Sequence, residues 1–398
     1  MMPGKVIALH RGTDAAMHTP ARASTPSWGH VRRLLAIRVD NLGDILMTTP
    51  ALAAAAESVP GIEIALLAGV GATALAPHLP MVDEVITARV PWVRHEDGHA
   101  ADDDQALVAR LAARRFDAAV IFTVCTQSAL PAALLCRLAG IPLRLAHARE
   151  NPYELLSEWA PEPDTDIANA RHEVRRQLDL VARVGWRTGD ERLRFALRPA
   201  DVASVGHLLA AHGVHEAGPG VIVVHVGASA PSRRWPAERF GQAADAIAAR
   251  TGARIVFTGS ADEASLIADA RAAMRPRERG RALALAGALT LGELGALVAR
   301  AELVLTNNSG PAHLAAALGT PVVDLYALTN PQHTPWQVAS RVLSHDVPCR
   351  NCLRSRCPQG HQLCLQGVPA QAAVDAALAL LASTSIADIP HPIQEPLS

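Results

Sequence analysis

LVLTNNSGPAHLAAALGTP, residues Leu303 to Pro321, is the stretch from which the fold can be read. Leu303–Thr306 is a short apolar run of the kind a buried parallel strand gives. Asn307, Asn308, Ser309 and Gly310 make a polar, permissive corner. Pro311 suits the start of a helix, where its missing N–H removes no bond, and Asn308 or Ser309 is placed to cap it. Ala312–Leu318 is helix-forming, Gly319 and Pro321 stop it, and Val322–Leu325 resumes as a strand. Such a corner aims backbone N–H groups and the positive end of a helix dipole at one point, which suits an anion such as a diphosphate. An ordinary strand–turn–helix connection has the same spacing. His313, one turn in, faces the corner and takes its meaning from whatever else reaches it.

The same alternation spreads outward from this stretch. Behind it lie strand Val221–Val226, loop Gly227–Trp235, a helix opened by Pro236, strand Arg254–Phe257, corner Gly259-Ser260, helix Asp262–Met274, and the segments Leu283–Ala286 and Leu291–Ala301. Nearer the N-terminus come strand Arg33–Val39, corner Asp40–Asp44, an Ala-rich helix to Ser58, strands Ile62–Leu67, Val82–Val85 and Ala118–Phe122, and helices Gln105–Arg114 and Leu130–Leu138. The polar stretch Thr188–Pro219, with a short helix around Ala200–Ala211, marks the crossing between two such units. The expected fold is therefore α/β, two Rossmann-like doubly wound domains facing a cleft, with ligands at the carboxyl ends of the strands. The expected divisions are a disordered leader 1–30, a first domain 31–200, a second domain 201–345, a Cys-rich loop 346–366, a C-terminal helix 367–383 packing back toward the first domain, and a loose tail 384–398.

Composition supports this. Hydrophobic residues make up 49% of the 398 and aromatics only 3%, so the cores must be built from Ala, Leu and Val, as suits helix-covered parallel sheets. A net charge of −1 with scattered arginine pairs argues against nucleic acid as the main ligand. The first thirty or so residues lack an apolar signal core, and no run of about eighteen apolar residues occurs. A cytoplasmic protein is expected, with peripheral contact at the inner membrane left open.

Three corners of the second half can share one anion. Ser229 offers a hydroxyl, Arg233 and Arg234 can fork onto a diphosphate, and Asn308, Ser309 and Gly310 supply the helix start. Glu263 or Asp262, at the strand end between them, can accept hydrogen bonds from a ribose. Opposite, Asp44 is placed either to take a proton from an attacking hydroxyl or to cap its helix, and both can hold. Gly69-Val70-Gly71 is half of a dinucleotide fingerprint with Ala74 where the third glycine belongs, so no nicotinamide site is expected. Asp102-Asp103-Asp104 reads as a metal-binding acid pair or as the solvated start of a helix, and its position favours the helix start. The amphipathic segment His172–Val184 reads as a helix with a solvated basic face. Cys349, Cys352, Cys357 and Cys364, with His361 among them, have spacing that suits structural zinc; a redox disulfide is the alternative.

The segments Arg38–Leu52, Ser229–Pro236 and Asn308–Pro321 together resemble the signatures of glycosyltransferase family 9, the ADP-heptose:lipopolysaccharide heptosyltransferases, and the similarity runs from about Arg33 to Leu381. The resemblance implies a GT-B fold with the acceptor on the first domain and the nucleotide-sugar donor on the second. It implies an inverting, metal-independent transfer onto lipopolysaccharide core, with no cofactor required for catalysis. Residue by residue it makes Asp44 the general base, places Ser229 and Arg233 on the donor phosphates, and assigns Gly310 and His313 to the donor helix. Arg38, Asn41 and Gly43 fall on the acceptor side. Asn308 stands where the family usually has Asp, removing a negative charge beside the diphosphate. The alternatives are a GT-B enzyme with another donor or acceptor, or a silent sugar-nucleotide-binding protein.

Overall fold

The computed structural model describes residues 27–93, 100–162, 169–215 and 218–384. Most of the expected leader and the tail beyond 384 lie outside the described residues. The leader's last residues do not: Trp28–His30 forms a 3-10 turn, and Trp28 is buried edge-on against Trp186 with ring centroids 5.4 Å apart. The folded chain thus begins earlier than expected, because an indole is too large an apolar surface to leave in water.

Two six-stranded, wholly parallel sheets carry the chain. In the first, β1 (Arg33–Ile37), β2 (Glu63–Ala68), β3 (Glu84–Thr87), β4 (Ala118–Ile121), β5 (Leu143–Ala148) and β6 (Glu158–Pro161) run in the order β3-β2-β1-β4-β5-β6. In the second, β7 (Val221–His225), β8 (Arg254–Gly259), β9 (Leu283–Ala286), β10 (Leu303–Asn307), β11 (Val322–Leu325) and β12 (Ser340–Leu343) run β12-β11-β10-β7-β8-β9. Counted from its own first strand, each sheet has the doubly wound order 3-2-1-4-5-6. The order reverses between β1 and β4 in one sheet and between β7 and β10 in the other, where crevices open at the carboxyl ends. These points receive the corners after β1 and β10.

Strands β5, β6 and β12 carry no clear apolar signal and were not expected. The edge strands β6, EWAP, and β12, SRVL, are largely exposed. The third strand starts at Glu84 rather than Val82, because Asp83 turns its carboxylate back onto the Ile64 N–H (2.7 Å).

Helix α1 (Leu42–Ser58) follows β1, and its residues Gly43 to Ala55 are buried. It packs on α4 (Glu173–Ala182) and on α10 (Gly310–Leu318), which follows β10. The C-terminal helix Ala370–Thr384 does not return to the first domain. It lies on α6 (Ala237–Thr251) and on β10 to β12. Its Ala373, Val374, Ala377 and Leu380 are buried in one cluster with Phe240 and Ile247, where a matching apolar stripe was available. Asp102, Asp103 and Asp104 occupy the first turn of the helix Ala101–Ala113, as the helix-start reading expects.

Candidate active site

The beginnings of α1 and α10 meet face to face. A Cβ on Gly43 would lie 2.6 Å from His313 Cδ2, so only glycine allows α10 this close. On the other side a Cβ on Gly310 would lie 3.5 Å from Leu42, an ordinary contact.

Asn41, not Asp44, is the N-cap of α1. Asp44 is the third helical residue, and its Oδ2 accepts the Asn41 N–H at 3.1 Å, which is the reciprocal half of a capping box. The other oxygen, Oδ1, lies 3.3 Å from Arg38 Nη2. Arg38 was expected on the acceptor side, but it is wholly buried. Its Nε pairs with Asp40 at 3.0 Å and its Nη1 with Glu173 at 2.9 Å, leaving it no face for a ligand. It serves Asp44 instead. Burial works to raise Asp44, yet Arg38, then His333, His313 and the Asn41 N–H, hold it below the ordinary carboxylate value. Asp40 goes the other way, raised chiefly by burial. Asp44 is therefore the ionised acid of this corner, aimed at the helix start across from it.

The face of α4 expected to be solvated is partly internal. Glu173 and Arg176 are buried, Gln177 Nε2 donates to Glu173 at 2.6 Å, and Arg176 pairs with Glu162 and donates to the Thr123 carbonyl. Buried ions need such partners, and here Arg38, Gln177, Glu162 and the Thr123 carbonyl supply them.

The opposing corner is built mostly from uncharged groups. Asn307 is fully buried and staples it: Oδ1 accepts the Trp235 N–H at 2.9 Å, while Nδ2 donates to the carbonyls of Val226 and Gly227 at 2.9 and 3.2 Å. Asn308 Oδ1 accepts the Ala327 N–H at 3.3 Å, and its carbonyl faces Arg233 Nη1 at 3.4 Å. Ser309 is the N-cap of α10 by backbone, with its hydroxyl on the Asn307 carbonyl instead of a helix N–H. Pro311 has no N–H and the Ala312 N–H donates to the Ser309 carbonyl at 3.0 Å, so the Gly310 N–H and the positive end of the helix are what α10 offers the junction. Arg234 is tied back to the Ala228 carbonyl at 2.7 Å, whereas Ser229 stands exposed and Arg233 half-buried. Glu263 closes its own turn by accepting the Ser260 N–H at 2.8 Å, and its carboxylate lies over Gly227, where a Cβ would come within 1.9 Å of Oε1. His313 is buried, and burial, then His333, pushes its imidazole down to about 3, against the pull of Asp44. It is neutral at physiological pH.

Asp44, Gly43, Asn41, Asn308, Ser309, Gly310, His313 and Arg233 therefore converge. Glu263 stands in the turn after β8, the strand neighbouring β7 on the side away from β10. The residues the motifs did not disclose are Glu173 and His333, whose sequence neighbourhoods carry no distinguishing spacing; Asn307 was legible as part of its corner but not as the staple.

The four clustered cysteines are free thiols that line one small cavity with His361. Among the described residues no group of three or more His, Cys, Asp or Glu side chains is arranged to hold a metal ion. Among the same residues no helix is long and apolar enough to cross a membrane.

Residues 105–363, more than half of the chain, match glycosyltransferase family 9 (heptosyltransferase). Lipopolysaccharide heptosyltransferase 1 of Pseudomonas aeruginosa is 26% identical over 82% of this chain and 87% of its own. Two solved structures share the fold. A family 9 glycosyl transferase from Veillonella parvula superposes with a TM-score of 0.74 at 21% identity, over 91% of this chain and 100% of that one. The ADP-heptose lps heptosyltransferase II of E. coli gives 0.69 at 23% identity, over 89% and 99%.

Proposed function

The chain belongs to glycosyltransferase family 9 and is a glycosyltransferase, and from that premise we propose that it transfers a heptose from ADP-heptose to a lipopolysaccharide core acceptor. The heptosyltransferase class is supported by the relatives' names, and donor and acceptor follow those names. The observation that carries the mechanism is an ionised carboxylate, Asp44, held by Arg38 against the helix start that carries His313.

In this mechanism Asp44 accepts the proton of an acceptor hydroxyl as that oxygen attacks the anomeric carbon from the side away from the nucleotide, which inverts the centre. The leaving diphosphate gathers negative charge. Arg233, the Ser229 hydroxyl and the Gly310 N–H opening α10 are the groups offered to it, so no step calls on a metal. The donor binds the second domain and the acceptor the first, and holding them at one junction supplies much of the remaining acceleration.

Asp44→Asn tests this directly, since the amide keeps the size and loses the base. ADP release from ADP-heptose plus acceptor should fall by about 10²–10⁴-fold, with ADP affinity changed less than about twofold. Surviving transfer, or lost ADP binding, would remove Asp44 from this role. A second reading rests on Asn308, whose side chain replaces a charge beside the phosphate site: a panel of nucleotide sugars in the same assay would show a donor other than ADP-heptose turning over faster. Structural zinc at Cys349, Cys352, Cys357 and Cys364 is a separate proposal supported by their shared cavity. Metal analysis of the purified protein and of Cys352→Ser decides it. Peripheral contact with the inner membrane belongs to the same reading, as the place where a lipid-linked acceptor would be met.

A further inference from the structure

Between β11 and β12 the second domain sends a strap onto the first. Gln332, 1% exposed, is bonded at every polar group: its carbonyl accepts the Glu173 N–H (3.0 Å), its Nε2 donates to the Arg171 carbonyl (2.8 Å), its Oε1 accepts the Cys125 thiol (2.8 Å) and its N–H donates to Asn330 Oδ1 (2.9 Å). Two residues further on, the Thr334 carbonyl meets His172 Nε2 at 2.8 Å. Trp336 then lies on the His172 ring, centroids 4.5 Å apart, and donates its indole N–H to the Glu191 carbonyl at 2.8 Å.

His333 sits between these anchors, its own N–H donating to Tyr326 Oη at 3.2 Å. The anchored strap delivers the imidazole to the junction of the two helix starts, where it acts electrostatically on both Asp44 and His313. There His333 Nε2 is buried with no hydrogen-bond partner among the described residues, and so is His313 Nδ1. Buried polar atoms are ordinarily satisfied, and two orphaned imidazole nitrogens at one junction point to a ligand that satisfies them. The Asp44 carboxylate repels a phosphate at this spot, and the proposed diphosphate groups are instead Arg233 and the Gly310 N–H. What suits a carboxylate and two imidazole nitrogens is a neutral polyol.

We propose that His333 is a substrate-contacting residue of the reaction centre, its Nε2 bonding a hydroxyl of the transferred sugar alongside His313 Nδ1. This rests on the reading of the junction as a sugar-transfer site.

Calorimetry with ADP and with ADP-heptose, on wild type, His333→Ala and His333→Asn, tests it, with thermal melts confirming that each variant is folded. The wild type should bind ADP-heptose. His333→Ala should weaken ADP-heptose binding about tenfold, with ADP affinity held within about twofold; His333→Asn, which keeps a hydrogen-bonding group, should recover part of the loss. Gln332→Ala, which loosens the whole strap, should weaken both ligands together. If His333→Ala weakens both equally, or neither, the residue is only part of the strap and the inference falls alone. A wild type that does not bind ADP-heptose overturns the donor reading and this inference with it.

Discussion

The corner after β1 and the corner after β10 have the same backbone plan and opposite electrostatics. Each ends a central parallel strand, caps a helix with an Asn or Ser, and presents that helix's first turn to the other domain. The first corner is crowded with charge: Asp40, Asp44 and Glu173 surround the single guanidinium of Arg38, out of water. The second is made of amides, with Asn307 and Asn308 fixing backbone that would otherwise move. One plan can thus present a negative group or a cradle for one, depending on whether side-chain charge overrides the helix dipole. A proton acceptor and an anion cradle facing each other are what group transfer between two sugars requires.

The largest effect should come from removing the cation of the first corner. Arg38→Met takes the shared cation away from Asp40, Asp44 and Glu173, leaves Glu173 only Arg176 at 3.9 Å, and should cost about 3–5 kcal/mol in denaturant unfolding. In the surviving folded fraction, the acid limb of kcat/KM should move to higher pH. The sign follows from Asp44, whose folded pKa lies below its unfolded one. Its stabilising contribution is present above the unfolded pKa and is lost as pH falls through the folded value. Without Arg38, the burial that raises it goes unopposed by its main partner. An unchanged stability and pH profile would break the contrast between the corners.

Next is the cation of the second corner. Arg233→Ala should raise KM for the nucleotide sugar by about 10–100-fold, the range for a charge-assisted bond, and leave unfolding within about 0.5 kcal/mol because the side chain is half-buried. Equal losses of stability from Arg38 and Arg233 would mean that the corners are not different in kind.

The glycines sharpen the comparison by their asymmetry. Gly43→Ala forces a methyl against the His313 ring and should cost about 1–3 kcal/mol together with much of the activity. Gly310→Ala meets Leu42 at ordinary contact distance and should stay within about 0.5 kcal/mol in thermal melts.

A small effect of opposite sign concerns a buried acid with no cation beside it among the described residues. Asp324 on β11 is fully buried, neither carboxyl oxygen has a hydrogen-bond partner among the described residues, and burial raises its pKa well above the ordinary value. Its folded pKa exceeds its unfolded one, so it penalises folding increasingly as pH rises above the unfolded value of about 3.9. Asp324→Asn should therefore stabilise the protein by about 1 kcal/mol near pH 7 and lose that advantage near pH 3. A destabilised variant would show that Asp324 has the partner that Arg38 is for Asp44.

Much of this molecule was legible in its residues. Leu303–Pro321 disclosed strand, corner, helix and returning strand because apolar runs, Pro311 and Gly319 act over one turn of chain. Asp44, Gly310 and His313 were legible as members of corners for the same reason. Strands β6 and β12 escaped because edge strands need little burial, and the C-terminal helix was sent to the wrong domain because its stripe of Ala, Val and Leu fits any apolar groove.

The chain by itself determined its elements, their doubly wound alternation and the chemistry of each corner, since propensity, capping and turn formation are local. Tertiary structure alone decided that Arg38 serves Asp44 instead of a ligand, that Glu173 and Arg176 lie inside, and that His333 reaches the junction. Those assignments join residues distant in the chain, such as 38 and 173. Whether a charge is a solvated ornament or a buried necessity depends on the low-dielectric surroundings that other segments build around it.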